Sequence, residues 1–188
     1  MILIGFFAIV AFASMEAVFG LWTQHNFGWG PRQVGLAFIA VGLAGAFTQA
    51  VLIGPLSSRL GEARMVVIGM VTLAASMLLQ PLTREPAAAV ALMALLITGH
   101  SLAFPNVSAL ISRSTAAEAQ GSVLGLHMSA GALARIVGPP LFGLAFTRLG
   151  PDAPYYLGAG MIGLALVIAL QAVRIRDTQL RQFEAARA

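Results

Sequence analysis

The chain has no cysteine and no lysine, and little charge of either sign. The missing thiols exclude disulfides and thiolate metal sites. Charged residues make up 10% of the 188 residues, against about 25% in an ordinary soluble domain. The apolar share is 59%. A chain this apolar cannot hide its hydrophobic surface inside one small globule, so a lipid bilayer is its solvent. A net charge of +4 does not imply nucleic acid here. The arginines mark the ends of apolar runs and the C-terminal segment, without the interleaved aromatics of a nucleic-acid patch. The first run has no basic region before it and no small-residue cleavage site before the polar Thr23–Arg32 stretch, so it reads as a span, not a signal peptide.

What the sequence does have is six long apolar segments, at 2–23, 33–56, 64–82, 87–111, 121–147 and 153–174, with a polar tail over 175–188. Each holds the roughly twenty residues that cross about 30 Å of hydrocarbon, which predicts an all-α membrane protein of six transmembrane helices. Six spans put both termini on one side. Arg59, Arg64, Arg113, Arg174, Arg176, Arg181 and Arg187 fall on that side, and Arg32, Arg84 and Arg148 on the other. The positive-inside bias therefore predicts cytoplasmic termini. Trp22, Trp29, Tyr155 and Tyr156 fit anchors at the outer interface, and His127, early in its segment, fits the opposite interface.

The chain is organised around Gly54–Arg64, a short, charged, turn-rich stretch between two apolar runs. Small residues at helical spacing (Gly35, Gly42 and Ala46; Gly121, Gly125, Ser129 and Ala132) predict faces where neighbouring backbones approach closely. The segment 64–82 has few polar residues and suits a lipid-facing position. An internal repeat is visible as well. Arg59-Leu60-Gly61 recurs 89 residues later as Arg148-Leu149-Gly150, on the opposite side of the membrane. That is the mark of two inverted three-helix units.

Three stretches carry a family resemblance. Thr23-Gln24 with Phe27-Gly28-Trp29-Gly30 resembles the loop after the seventh helix of drug/proton antiporters of the major facilitator superfamily, tetracycline-efflux proteins among them. Gly54–Arg64, as G-x-L-x-x-R-x-G-x-x-R, resembles the loop between their eighth and ninth helices. Leu133-Ala134-Arg135-Ile136-Val137-Gly138-Pro139 resembles their eleventh helix. Ser58 stands where the first half of such a protein has Asp, and 87–111 lacks the Arg of its fourth helix. The resemblance therefore implies the C-terminal six-helix half. The intramembrane His and Asp of the tetracycline-efflux proteins align with Gly45 and Leu73, so the resemblance implies the transporter class and not that drug.

The candidate functional residues are few. A charge at mid-helix costs about 2.5–3.5 kcal/mol on insertion scales, so Glu16 and Arg135 should face a cavity or a partner. Counting helix rise puts both about 21 Å from the cytoplasmic end of their helices, where an ion pair is geometrically possible. Arg135 has a second option in the carbonyls freed by Pro139 and Pro140. His100, with Gln49 as a partner and Asn106 beyond Pro105, is a candidate for proton relay or substrate bonding. Gly54, Arg59, Gly61 and Arg64 are assigned to gating, and Gly138 and Pro139 to a kink that shapes the gate.

The resulting expectation is half of a secondary transporter in a bacterial inner membrane, not an enzyme. It would export a small apolar or cationic compound in exchange for protons, with an N-terminal six-helix half or a second copy as partner. No cofactor, metal or nucleic acid is called for. The alternatives are a rhomboid-type intramembrane serine protease and a non-transporting scaffold. The first needs Gly-x-Ser-Gly, whereas Gly99-His100-Ser101 is followed by Leu102.

Overall fold

The structure, a computed structural model, describes the backbone of residues 1–185 and the side-chain surroundings of residues 1–171. Six helices follow one another: α1 (Ile2–Phe27), α2 (Pro31–Leu60), α3 (Glu62–Leu82), α4 (Pro86–Arg113), α5 (Gln120–Leu149) and α6 (Ala153–Ala185). All six contain a stretch long and apolar enough to cross a membrane. Helix α6 continues well into the segment expected as a polar tail, and residues 186–188 of that tail lie outside the described residues.

Turn chemistry explains the boundaries. Gly28 closes α1 in the left-handed region at φ 66°, and Pro31 starts α2 where a missing N–H is harmless. The expected loop Gly54–Arg64 is mostly helix: α2 runs on to Leu60, and Gly61 alone, at φ 77° and ψ 157°, makes the turn. Within α2, Thr48–Leu52 is a π-helical turn. Pro55 lacks the N–H that Val51 would receive, and the backbone adjusts by one wider turn before it.

The packing has a two-fold pattern. Helix α3 packs on α4 as α6 packs on α1, and α5 packs on α1 as α2 packs on α4; α1–α4 and α3–α6 are the self-matched contacts. Exchanging α1–α3 with α4–α6 leaves that pattern unchanged, as an inverted repeat requires. The helices α2 and α5 are both 30 residues long, offset by 89 at each end (120 − 31 and 149 − 60). Each ends in Arg-Leu-Gly, with Gly61 at φ 77° and Gly150 at φ 108°.

The core sits on α1, whose Ile9, Val10, Met15, Phe19 and Trp22 are buried among α4, α5 and α6. Trp22 and Tyr155 are fully buried, edge-to-face at 5.3 Å, and the Trp22 indole N–H donates to Asp152 at 2.8 Å. They are core residues tying α1 to the α5–α6 turn, not interface anchors. The closest backbone approach is at Gly69 and Gly99, where a Cβ on either glycine would come within 2.7 Å of the other's carbonyl oxygen. The stripes expected to pack closely do otherwise. Gly35, Gly42, Gly121 and Gly125 have nothing within 4 Å of a notional Cβ and lie on outward faces of α2 and α5.

Candidate functional site

Helices α1 and α5 run parallel, and three contacts fix their register: Gly5 on His127, Ile9 on Gly131 and Ser14 on Gly138. The offset is 122 to 124 residues, which places Arg135 level with Phe12. Arg135 lies four residues beyond Gly131 and three before Gly138, so it shares their helix face. At the same level the His100 imidazole of α4 lies on the Phe12 ring, with centroids 3.9 Å apart and planes 10° from parallel. Phe12, His100 and Arg135 thus lie at one level of the bundle.

Glu16 is one turn further along α1, about 6 Å of helix rise from that layer. The level matching of Glu16 and Arg135 counted from segment ends is therefore off by a turn, because α5 begins further from the α1–α5 contact than α1 does. Among the described residues the one ion pair is Arg113–Glu62, at 2.9 Å. Glu16 and Arg135 are both exposed on the isolated bundle. Helix α4 has 28 residues with His100 fifteenth, which sets the imidazole at mid-depth.

The layer extends toward the side where the chain begins. His100 stacks on Phe104 at 5.4 Å, and Phe104 on His127 at 5.6 Å. His127 is 2% exposed, and its Nε2 lies 3.3 Å from the Ser108 hydroxyl. Interfacial placement missed this burial. The pocket for the ring is made by Gly5, where a Cβ would collide with the imidazole, and only the α1–α5 register brings the two together. His100 Nδ1 and His127 Nδ1 are buried without hydrogen-bond partners.

Of the remaining candidates, Gln49 is exposed within the π turn of α2, next to Thr48, whose hydroxyl lies 3.3 Å from that of Thr98. Gln49 makes no hydrogen bond to His100 among the described residues. Asn106 is buried, donates to the Leu102 carbonyl at 2.8 Å and accepts from Ser57 at 3.4 Å, so it links α4 to α2. Gly54, Arg59, Gly61 and Arg64 are exposed around the α2–α3 turn. Gly138 is pressed against Ser14, with Pro139 and Pro140 leaving the Arg135 and Ile136 carbonyls without helical donors. Gly45 meets Ile97 and Leu73 packs on Gly99, so the two positions aligned with the tetracycline-efflux His and Asp are filled by packing between helices.

An inverted-repeat bundle of six spans with two exposed charges at mid-depth defines one module of a multi-pass membrane protein of the secondary-transporter fold. The sequence profile of the Major Facilitator Superfamily matches residues 1–188, and the chain belongs to that family. It is 29% identical over 156 residues to the class D tetracycline resistance protein of Salmonella ordonez, covering 81% of this chain and 39% of that protein. To the class G tetracycline resistance protein of Vibrio anguillarum it is 32% identical over 133 residues, covering 71% and 33%. To multidrug resistance protein 1 of Bacillus subtilis (strain 168) it is 25% identical over 162 residues, covering 85% and 41%. The human organic anion transporter MFSD10 (TETRAN) shares the fold, with a TM-score of 0.80, 23% identity, and coverage of 89% of this chain and 39% of that one. The chain thus spans about two fifths or less of the length of these relatives.

Proposed function

We propose that this chain is one six-helix half of a proton-coupled efflux transporter of small drug-like compounds or metabolites, working by alternating access. A second six-helix bundle, an N-terminal half or another copy, completes it. The observation that carries the reading is the exposure of Glu16 and Arg135 at mid-depth. Lipid tolerates neither, so the face that holds them borders a water-filled cavity between two bundles. The tetracycline and multidrug resistance relatives support a drug-like cargo. The arginine distribution supports cytoplasmic termini, and the bacterial relatives a bacterial inner membrane.

Glu16 is the coupling residue in this reading. A carboxyl group at mid-depth, in a cavity that opens to one side of the membrane and then the other, can carry a proton across. Glu16→Gln in the complete assembly, reconstituted in proteoliposomes, is expected to abolish pH-driven transport. Substrate exchange at equal pH on both sides should survive. PH-driven transport at near-normal rate in Glu16→Gln would make Glu16 structural, and its absence in the wild type would reject proton coupling.

A further inference from the structure

The geometry points to Arg135 and His100 as the anion-binding end of the substrate site, taking the carboxylate of an organic acid with an apolar body. This rests on the reading that their face borders the cavity. Three observations converge on it. Arg135 is exposed at mid-depth, where the only other charge in any of the described spans is Glu16, one turn away. His100 is stacked on both Phe12 and Phe104, which fixes its ring at the level of Arg135. Its Nδ1 is buried with no hydrogen-bond partner among the described residues. Guanidinium carries donors alone, so it cannot accept from an imidazole N–H.

A carboxylate suits the arginine and a ring N–H together. Its two oxygens match the planar fork of arginine, and one of them accepts from an imidazole N–H. In a water-poor site the charge pair is much stronger than in bulk water. Phe12 and Phe104 supply apolar surroundings for the rest of the molecule. Where residue types alone suggested an apolar or cationic cargo, this layer selects the opposite charge. Glu16 is the carboxylate on this chain that competes for the same guanidinium.

The test measures equilibrium binding of three tritiated probes to the assembled transporter in lipid nanodiscs: 2-naphthoate, 2-naphthalenemethanol and N,N,N-trimethyl-2-naphthylammonium. Wild type is expected to prefer naphthoate. Arg135→Gln should weaken naphthoate by about thirtyfold or more and leave the neutral alcohol within about threefold. Arg135→Lys, which keeps the charge but loses the fork, should fall between. His100→Phe, which keeps the ring stack, should weaken naphthoate without affecting the alcohol. Glu16→Gln should tighten naphthoate by removing the competitor. Preference of the wild type for the ammonium probe overturns the inference, as does naphthoate binding that Arg135→Gln leaves within about twofold. Because binding is read without a proton gradient, naphthoate binding with no pH-driven transport would reject proton coupling and leave the anion site standing.

Discussion

The imidazole of His100 lies flat on the phenyl ring of Phe12, 3.9 Å from it, and this contact joins the centres of the two inverted repeats. Phe12 belongs to α1 and His100 to α4, the pair of helices that the repeat exchanges with each other. A titratable ring is thereby fixed at mid-depth on the internal two-fold relation of the bundle. Arg135 enters the same layer from α5, so groups from three helices converge where the sequence has no contiguous motif.

His100→Phe separates the ring's packing from its nitrogens. The substitution keeps an aromatic between Phe12 and Phe104 and removes a buried nitrogen that has no partner. An unsatisfied buried polar atom costs about 1–3 kcal/mol, so thermal stability in detergent is expected to hold or rise. Transport should fall regardless. A variant that loses stability along with activity would show that the imidazole makes a bond the stack alone does not account for.

The α3–α4 crossing should be the most sensitive point in the bundle to a single methyl group. A Cβ on Gly99 would stand 2.7 Å from the Gly69 carbonyl and 2.8 Å from the Leu73 nitrogen, both backbone atoms that cannot turn aside. Gly99→Ala is expected to destabilise by about 1–3 kcal/mol, read as a lowered unfolding midpoint of the purified protein. Gly125→Ala, where a Cβ meets nothing within 4 Å, should change stability by no more than about 0.5 kcal/mol. Equal effects at the two glycines would contradict the packing described.

Six spans and their inverted repeat were legible because they are written in local signals. Apolar runs report length, and Arg-Leu-Gly marks a backbone position where the chain needs φ > 0, so both copies end a 30-residue helix. The two mid-helix charges were legible too, since any ionised group there needs a reason. Their relative depth was not, because it depends on the register of α1 against α5, set by contacts between residues more than 120 positions apart. The burial of His127 was hidden for the same reason: its pocket is the missing side chain of Gly5. Glycine stripes mislead because spacing shows which residues share a face and not whether that face looks into the bundle or away from it. Gly35 and Gly42 look away, while Gly69 and Gly99, one on each helix and outside any stripe, make the close contact.

The positive-inside argument has a direct check. With both termini cytoplasmic, single cysteines at Ser58 and Ser114, both exposed, should resist an impermeant thiol reagent added to intact cells. Cysteines at Asn26 and Arg84, exposed at the opposite ends of the helices, should be labelled. The native chain has no cysteine to give background. The reverse labelling would invert the topology and, with it, the assignment of Gly61 to the cytoplasmic turn and Gly150 to the outer one.

The ion pair between Glu62 and Arg113 should govern switching and not recognition. It closes the start of α3 onto the end of α4 at 2.9 Å, with the Glu62 side chain 14% exposed and that of Arg113 77% exposed. So exposed a pair contributes at most about 1 kcal/mol, too little for its loss to unfold the bundle. A transporter that alternates between states separated by a few kcal/mol is another matter, since about 1 kcal/mol shifts their ratio roughly fivefold. The pair is also at the membrane surface, far from a substrate at mid-depth. Glu62→Gln and Arg113→Ala are therefore each expected to slow turnover several-fold and leave substrate affinity within about twofold. The double variant should be no worse than either single one, because the second substitution has no pair left to break. Arg59→Ala, on the same turn, should share this pattern of lost turnover with retained affinity. A large loss of affinity at normal turnover in any of the three would place the turn in the substrate site and reject the gating assignment.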